Sequence, residues 1–275
     1  MGQAMRASPP PAVTPLRALA PVALELKELA KRYPTRDGGM VQAVASVSAT
    51  IRQGEFIAIL GPSGCGKSTL LMMIAGLVRP SSGSLTFGKP SHDTHPDFGI
   101  VFQDPVLFPW RTVQANVELP GEVVGMPREQ RARKARELIQ LVGLAGFEQQ
   151  LPSELSGGMQ QRVAIARSLM LDPQLILMDE PFGALDAMTR EQMNLEVQRI
   201  SLESGATVVF VTHSIAEAAF LANRVFVMSG RPSTVREIVQ VDIERPRPIE
   251  LMASDRFGVY VSHLRGLLNV TGDAS

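Results

Sequence analysis

The sequence has almost no cysteine and no excess of either charge. Cys65 is the only cysteine among 275 residues, so an intramolecular disulfide is impossible and a reducing compartment is expected. Lys plus Arg and Asp plus Glu number 27 each, whereas proteins that bind nucleic acid usually carry a basic excess. The charge balance therefore argues against a DNA or RNA partner.

Long apolar runs are also absent. A helix that spans a bilayer needs roughly 20 consecutive apolar residues, and no stretch of the sequence approaches that length. The first 21 residues are rich in Pro and Ala but lack the continuous apolar stretch of a signal peptide, so we expect residues 1–22 to form a disordered leader. The chain is expected to be soluble and cytoplasmic unless a partner holds it at a membrane.

The sequence does contain short apolar segments that alternate with helical patterns. Phe56–Leu60, Leu175–Met178 and Thr207–Val211 have the continuous apolar character of strands that are buried on both faces. Long helical patterns occupy 127–144 and 187–204. This alternation predicts an α/β fold, in which a parallel sheet carries helices on both faces.

The same patterns suggest how the chain is divided. We expect a main domain over residues 23–231, with a helical subdomain inserted at about 104–171. Residues 232–275 are expected to add a short strand and a helix, whose function the sequence does not indicate.

A glycine-rich segment follows the apolar strand Phe56–Leu60 and precedes a helical pattern. Its spacing, Gly61-x-x-x-x-Gly66-Lys67-Ser68, is that of a phosphate-binding loop between a strand and a helix. Backbone N–H groups and the helix N-terminus would cradle the phosphates, Lys67 would reach the β- and γ-phosphates, and Ser68 would bind Mg²⁺. The residues predicted to bind ATP here are Gly61, Pro62, Ser63, Gly64, Cys65, Gly66, Lys67, Ser68 and Thr69.

Two acidic residues end the apolar strand at Leu175–Met178. Asp179 is placed to join the Mg²⁺ ligands, and Glu180 could act as the general base that polarises the attacking water. An Asp-Glu pair at a strand end is otherwise most often a helix cap, and the upstream phosphate loop favours the catalytic interpretation.

A second anion-binding device follows in Leu155-Ser156-Gly157-Gly158-Met159-Gln160, at the start of another helix. By itself it is equally a capped helix start. With the motifs above, the chain resembles the ATP-binding-cassette ATPases, whose signature is Leu-Ser-Gly-Gly-Gln; Met159 departs from that signature. The resemblance runs from about Leu24 to Ser229. It implies a P-loop NTPase core with an antiparallel β subdomain and an inserted helical subdomain.

The resemblance also assigns roles to isolated residues. Tyr33 matches the residue that stacks on adenine, and Gln103 matches the glutamine that contacts Mg²⁺ and senses the γ-phosphate. Asp186 belongs to the segment that crosses a dimer interface, and His213 matches the histidine at the γ-phosphate; Ser214 replaces the acid that usually follows it. The expected catalytic residues are Lys67, Gln103, Glu180 and His213, and the expected Mg²⁺ ligands are Ser68, Gln103 and Asp179.

In that family two cassettes pair head to tail, so Ser156, Gly157 and Gly158 of one copy would face the ATP held by Lys67 of the other. Importer members receive two membrane permease subunits on a surface that Phe108, Pro109 and Trp110 resemble. Trp110 could instead pack within the helical subdomain, and the two interpretations are compatible.

The sequence looks most like importers of nitrate, sulfonate and taurine, which work with a periplasmic binding protein at the cytoplasmic face of the inner membrane. The competing hypotheses are a cassette that acts on nucleic acid and a nucleotide-gated regulatory module with little turnover.

Overall fold

The computed structural model describes residues 20–88 and 98–269. These residues contain nine strands and seven α-helices. The strands are β1 Val22–Pro34, β2 Met40–Arg52, β3 Phe56–Leu60, β4 Ser82–Phe87, β5 Phe98–Val101, β6 Leu175–Asp179, β7 Thr207–Thr212, β8 Arg224–Met228 and β9 Ser233–Gln240. The helices are α1 Lys67–Ile74, α2 Val113–Val123, α3 Arg128–Leu141, α4 Gly157–Ser168, α5 Ala187–Ser204, α6 Ile215–Leu221 and α7 Asp255–Asn269.

The strands form one sheet in the order β4-β1-β2-β9-β8-β3-β7-β6-β5. Strands β5, β6, β7, β3 and β8 are parallel to one another. At the other end β1 pairs antiparallel with β2 and β4. This arrangement confirms the expected α/β fold with an antiparallel β portion.

The central strands are apolar because both faces of the sheet are covered. In β3, Phe56, Ala58 and Leu60 pack into the core beside α4 to α7, whereas Ile57 and Ile59 pack into the core beside α1. Every residue of β3 and of β7 is buried. Parallel strands therefore end at one rigid edge, and the loops that follow them are held close together.

Three helices, α2, α3 and α4, lie between β5 and β6 in the chain and pack against one another. Leu138 and Ile139 of α3 and Val142, just after this helix, are buried. The chain thus carries an inserted helical portion, as expected, while the limits of 104–171 stay a prediction.

The C-terminal residues join the main sheet. Strand β9 pairs antiparallel with β8 and parallel with β2, and α7 buries Phe257, Tyr260 and Leu264. Arg247 is 1% exposed and donates to the Ala219 and Phe220 carbonyls near the end of α6. The division at residues 231 and 232 remains a prediction, and β9 beyond it joins the antiparallel portion, through β2, to the parallel strands, through β8.

The expected leader lies outside the described residues except for positions 20–22, and Val22 already begins β1. Among the helices of the described ranges, none combines the length and apolar character needed to cross a membrane.

Candidate nucleotide site

The loop between β3 and α1 forms one wall of a cleft of about 370 Å³. Gly66 has a φ of 117°, and a Cβ there would lie 2.8 Å from the Ala43 carbonyl oxygen, so only glycine fits. The residues that line the cleft are Ser63, Gly64, Gly66, Lys67, Ser68, Thr69, Gln103, Asp179, Glu180 and Arg231. Most of the predicted phosphate loop therefore faces one cavity together with the predicted acids.

Lys67 is 4% exposed and is held by the loop itself. Its Nζ donates to the carbonyl oxygens of Gly61 and Pro62, both at 3.0 Å, and lies 3.6 Å from Glu180 Oε1. This buried ammonium group belongs to a residue that lines the cleft. Cys65 is buried in the same loop, and burial raises the pKa of its thiol, which fits a small spacer better than a reactive group.

Ser68 and Asp179 meet across the cleft, where Ser68 Oγ donates to Asp179 Oδ1 at 3.0 Å. Burial raises the pKa of the Asp179 carboxyl, since the charged form loses hydration there. A hydroxyl and a carboxylate oxygen beside an amide side chain, Gln103, are hard oxygen donors of the kind that Mg²⁺ prefers. These three side chains fit the predicted ion.

Glu180 follows β6 directly and is held in an unusual backbone conformation, with a φ of 44°. Its N–H donates to the Val211 carbonyl of the adjacent strand β7 at 2.9 Å. His213, just beyond β7, places its Nδ1 2.9 Å from Glu180 Oε2. The pairing of β6 with β7 therefore brings the predicted base and the predicted histidine into contact.

Gln103 follows β5 and packs closely against Gly183, where a Cβ would lie 3.0 Å from Gln103 Nε2. The structure thus brings Lys67, Ser68, Gln103, Asp179 and Glu180 around one cleft, with His213 against Glu180.

The second glycine-rich segment is placed elsewhere. Ser156 Oγ accepts from the Met159 N–H at 3.3 Å, so this serine is the N-cap of α4. Asp186 caps α5 in the same way through Thr189, and the Thr189 side chain lowers the pKa of its carboxyl. Neither Ser156, Gly157, Gly158 nor Asp186 lines the cleft of its own chain. The capped helix start is confirmed, and the role at a second copy's nucleotide stays a prediction.

Two aromatic predictions have different outcomes. Tyr33 is 37% exposed and does not line the cleft; Lys31 Nζ lies 5.0 Å from its ring centroid, and its contact with adenine stays a prediction. Trp110 is 72% exposed, with its ring 5.2 Å from that of Phe108. The interpretation that Trp110 packs within the helical subdomain is therefore wrong for this chain.

The loop that carries Trp110 is well anchored even though its aromatic rings are exposed. Asn116 is fully buried, accepts from the Phe108 N–H at 2.8 Å and donates to three carbonyls of the loop. Arg111 pairs with Glu122 at 2.8 Å. The rings of Phe108 and Trp110 are thus presented to solvent by a fixed loop.

Sequence reasoning did not identify Arg231, which lines the cleft. Its Nη2 and Nε lie 2.6 and 3.2 Å from the Gly64 carbonyl oxygen, across 167 positions of sequence. It also did not identify Glu217, which accepts from Thr212 Oγ1 at 2.6 Å behind His213. The contact between Arg231 and Gly64 has no spacing pattern in the sequence, because only the sheet brings these two segments together. Thr212 and Glu217 are five positions apart, and no motif marks that pair.

Comparisons with known proteins agree with this geometry. The family model described as ABC transporter matches residues 44–183. The chain is 44% identical, over 92% of both chains, to an uncharacterized ABC transporter ATP-binding protein of Methanocaldococcus jannaschii. It is 43% identical to a taurine import ATP-binding protein of Jannaschia sp., over 78% of this chain and 80% of that protein. A nitrate import ATP-binding protein of Synechococcus elongatus is 46% identical over 80% of this chain, which spans 34% of that longer protein.

Solved structures show the same relationship. A dimeric bacterial ABC transporter cassette superimposes with a TM-score of 0.69 at 34% identity, over 80% of this chain and all of that one. A dimeric post-hydrolysis cassette bound to ADP and Pi gives a TM-score of 0.68, with the same identity and coverage.

Proposed function

This chain belongs to the ABC transporter family as an ATP-binding, ATP-hydrolysing subunit, and from that premise we propose that it powers a bacterial importer of a small solute of the nitrate, sulfonate or taurine type. The resemblance to nitrate and taurine import subunits at 43 to 46% identity carries the importer assignment. The same relatives do not support a cassette that acts on nucleic acid. Because the solute would cross through partner subunits, its type rests on similarity alone.

The arrangement of the cleft supports a separate role for each of its residues during hydrolysis. Lys67, with backbone N–H groups of the loop, would bind the β- and γ-phosphates. Glu180 would accept a proton from the attacking water, while the Nδ1–H of His213 donates to Glu180 Oε2 and orients that carboxylate. Ser68, Gln103 and Asp179 would hold Mg²⁺, which when bound neutralises charge on the phosphate oxygens.

We propose that a second copy of the chain completes each ATP site. The start of α4, where Ser156 and Gly157 are exposed and Gly158 is buried, does not line the chain's own cleft. In a head-to-tail dimer it would face the ATP of the partner, so each ATP would be enclosed only when two subunits close. ATP binding would then favour the closed dimer and product release the open one.

The exposed aromatic rings support the location of the membrane partners. Phe108 and Trp110 lie on the loop that follows Gln103, a residue that lines the ATP cleft. Large exposed aromatic side chains are enriched at protein interfaces. We assign Phe108, Pro109 and Trp110 to the contact with two integral-membrane permease subunits. The chain would then lie peripherally on the cytoplasmic face of the inner (plasma) membrane, below a periplasmic substrate-binding protein.

The importer assignment is tested in the assembled transporter. We expect vesicles that contain this subunit with its permease partners to take up nitrate, a sulfonate or taurine in an ATP-dependent manner. Trp110→Ala should release the subunit from the permease, whereas the exposed Val259→Ala should not. ATP hydrolysis stimulated by DNA and lost steeply with salt would contradict the importer function, and negligible basal turnover would favour the regulatory module.

A further inference from the structure

The turn between β8 and β9 contacts the phosphate loop through Arg231, and the first residue of β9 lies close to Gly66. Arg231 places Nη2 at 2.6 Å and Nε at 3.2 Å from the carbonyl oxygen of Gly64. Two residues later Ser233, which is fully buried, donates to the Ala43 carbonyl at 3.0 Å. Its Oγ also lies 3.0 Å from the point where a Cβ on Gly66 would stand. The C-terminal part of the chain therefore packs against the loop that binds ATP.

The turn is closed by its own hydrogen bonds. The Ser229 N–H donates to the Thr234 carbonyl at 3.0 Å, and the Thr234 N–H donates to Ser229 Oγ at 2.9 Å. Strand β9 continues the turn into the sheet between β8 and β2. Arg231 therefore lies in a turn that hydrogen bonds hold in place, although its own side chain is exposed.

A loop that binds phosphate through its N–H groups must direct its carbonyl oxygens elsewhere, and those carbonyls need donors. Lys67 supplies a donor to Gly61 and Pro62. Arg231 supplies two N–H groups to Gly64, which has a φ of 73° and lies at the centre of the loop. The two cations therefore hold different parts of the same loop.

The charges of the residues that line the cleft also favour a role for Arg231 in nucleotide binding. The residues that line the cleft include two carboxylates, Asp179 and Glu180, and two cations, Lys67 and Arg231. Without Arg231 the lining would carry a net negative charge, which would oppose a triphosphate. An arginine stays protonated at any physiological pH, so its contribution is permanent.

We propose that Arg231 is a positioning residue for nucleotide binding, which holds the Gly64 carbonyl out of the phosphate site and supplies the second positive charge of the cleft. The inference depends on ATP binding by this chain and not on the transported solute. It gives the C-terminal residues, whose role the sequence leaves open, a direct part in forming the ATP site.

The test compares Arg231→Gln and Arg231→Lys with Arg236→Gln. Arg236 is a matched control, because it lies on β9, is exposed and donates from Nη1 to the Leu267 carbonyl at 3.0 Å away from the cleft. Binding of a non-hydrolysable ATP analogue is measured by calorimetry, and hydrolysis is measured as phosphate release over a range of ATP concentrations.

We expect Arg231→Gln to raise the Kd for the analogue and the KM for ATP about ten-fold, the usual effect of losing one charge-assisted hydrogen bond. Arg231→Lys, which keeps the charge but not the paired N–H groups, should lie between this variant and the wild type. The kcat at saturating ATP should change less than two-fold, since bound phosphates then hold the loop. Arg236→Gln should match the wild type.

Three results would overturn the inference. Unchanged Kd and KM in Arg231→Gln would show that the contact is incidental. Equal weakening in Arg231→Gln and Arg236→Gln would indicate a general charge effect. A fall in kcat and in the unfolding midpoint without a change in KM would indicate a purely structural role. If Arg231→Gln does not fold, the same Kd and KM measurements are made on Arg231→Lys. Loss of transport with normal ATP affinity concerns the importer function alone.

Discussion

Two segments of this chain, the loop Gly61–Thr69 and the segment Ser156–Met159, use the same local device in different surroundings. Each presents glycines at the N-terminus of a helix, where free N–H groups and the helix dipole attract anions. The first lines a cleft together with Asp179 and Glu180, whereas the second, in which Ser156 and Gly157 are exposed, does not line that cleft. A helix start becomes a nucleotide site only where the sheet supplies cations and ligands around it.

The comparison predicts that hydrolysis depends on both segments while ATP binding depends mainly on the first. Single substitutions in the two segments and in the acids of the cleft separate these contributions.

Glu180→Gln should lower kcat by about 10² to 10⁴-fold, because it removes the group that we expect to accept a proton from water. ATP affinity should be retained, and a stable dimer should accumulate with ATP and Mg²⁺. Phosphate release and light scattering after size exclusion measure the two effects. Glu244→Gln, at an exposed position outside the cleft, is the control, and a monomer at saturating ATP-Mg²⁺ would contradict the shared site.

Lys67→Met should weaken ATP binding about 10 to 100-fold, since it removes the charged donor that we expect beside the phosphates. Calorimetric titration with a non-hydrolysable ATP analogue gives the Kd. An unchanged Kd would mean that the cleft lined by Lys67 is not where the triphosphate binds.

Ser156→Ala should leave the Kd for ATP in the isolated subunit within two-fold of the wild type and lower kcat about ten-fold, the effect of losing one hydrogen bond to a charged group. Loss of the N-cap of α4 should also cost about 1 kcal/mol of unfolding free energy. The stability loss is measured by urea denaturation. If Ser156→Ala weakened binding by the monomer as much as Lys67→Met, the two segments would not be distinct.

Without nucleotide and Mg²⁺, Asp179→Asn should produce only a modest rise in the unfolding midpoint at neutral pH. The pKa of Asp179 is raised by burial, so its carboxyl favours folding most below the ordinary pKa and loses that benefit as pH rises through the folded-state value. Asparagine removes the buried charge at neutral pH. Thermal unfolding at pH 4 and pH 7.5 tests this, because the difference in unfolding midpoint between Asp179→Asn and the wild type should be smaller at pH 4.

Much of the candidate site could be predicted because its residues are close in sequence or follow strands. Gly66, Lys67 and Ser68 lie in one loop, and Asp179 and Glu180 end a strand whose apolar character is evident. The exposure of Trp110 could not be predicted, because an apolar side chain in a loop is compatible with either packing or solvent. Asn116, which fixes that loop, has no distinguishing pattern in a helix of ordinary composition.

The local parts of the site can be read along the chain: a strand, a glycine turn, a lysine and a helix start follow one another in an order that allows phosphate binding. Their chemistry depends on residue type and short spacing, and both can be read along the chain. Which of these segments line the same cleft depends on the tertiary structure. It placed His213 against Glu180, turned Ser156 away from Lys67 and brought Arg231 to Gly64, because strand pairing brings together residues that are far apart in sequence.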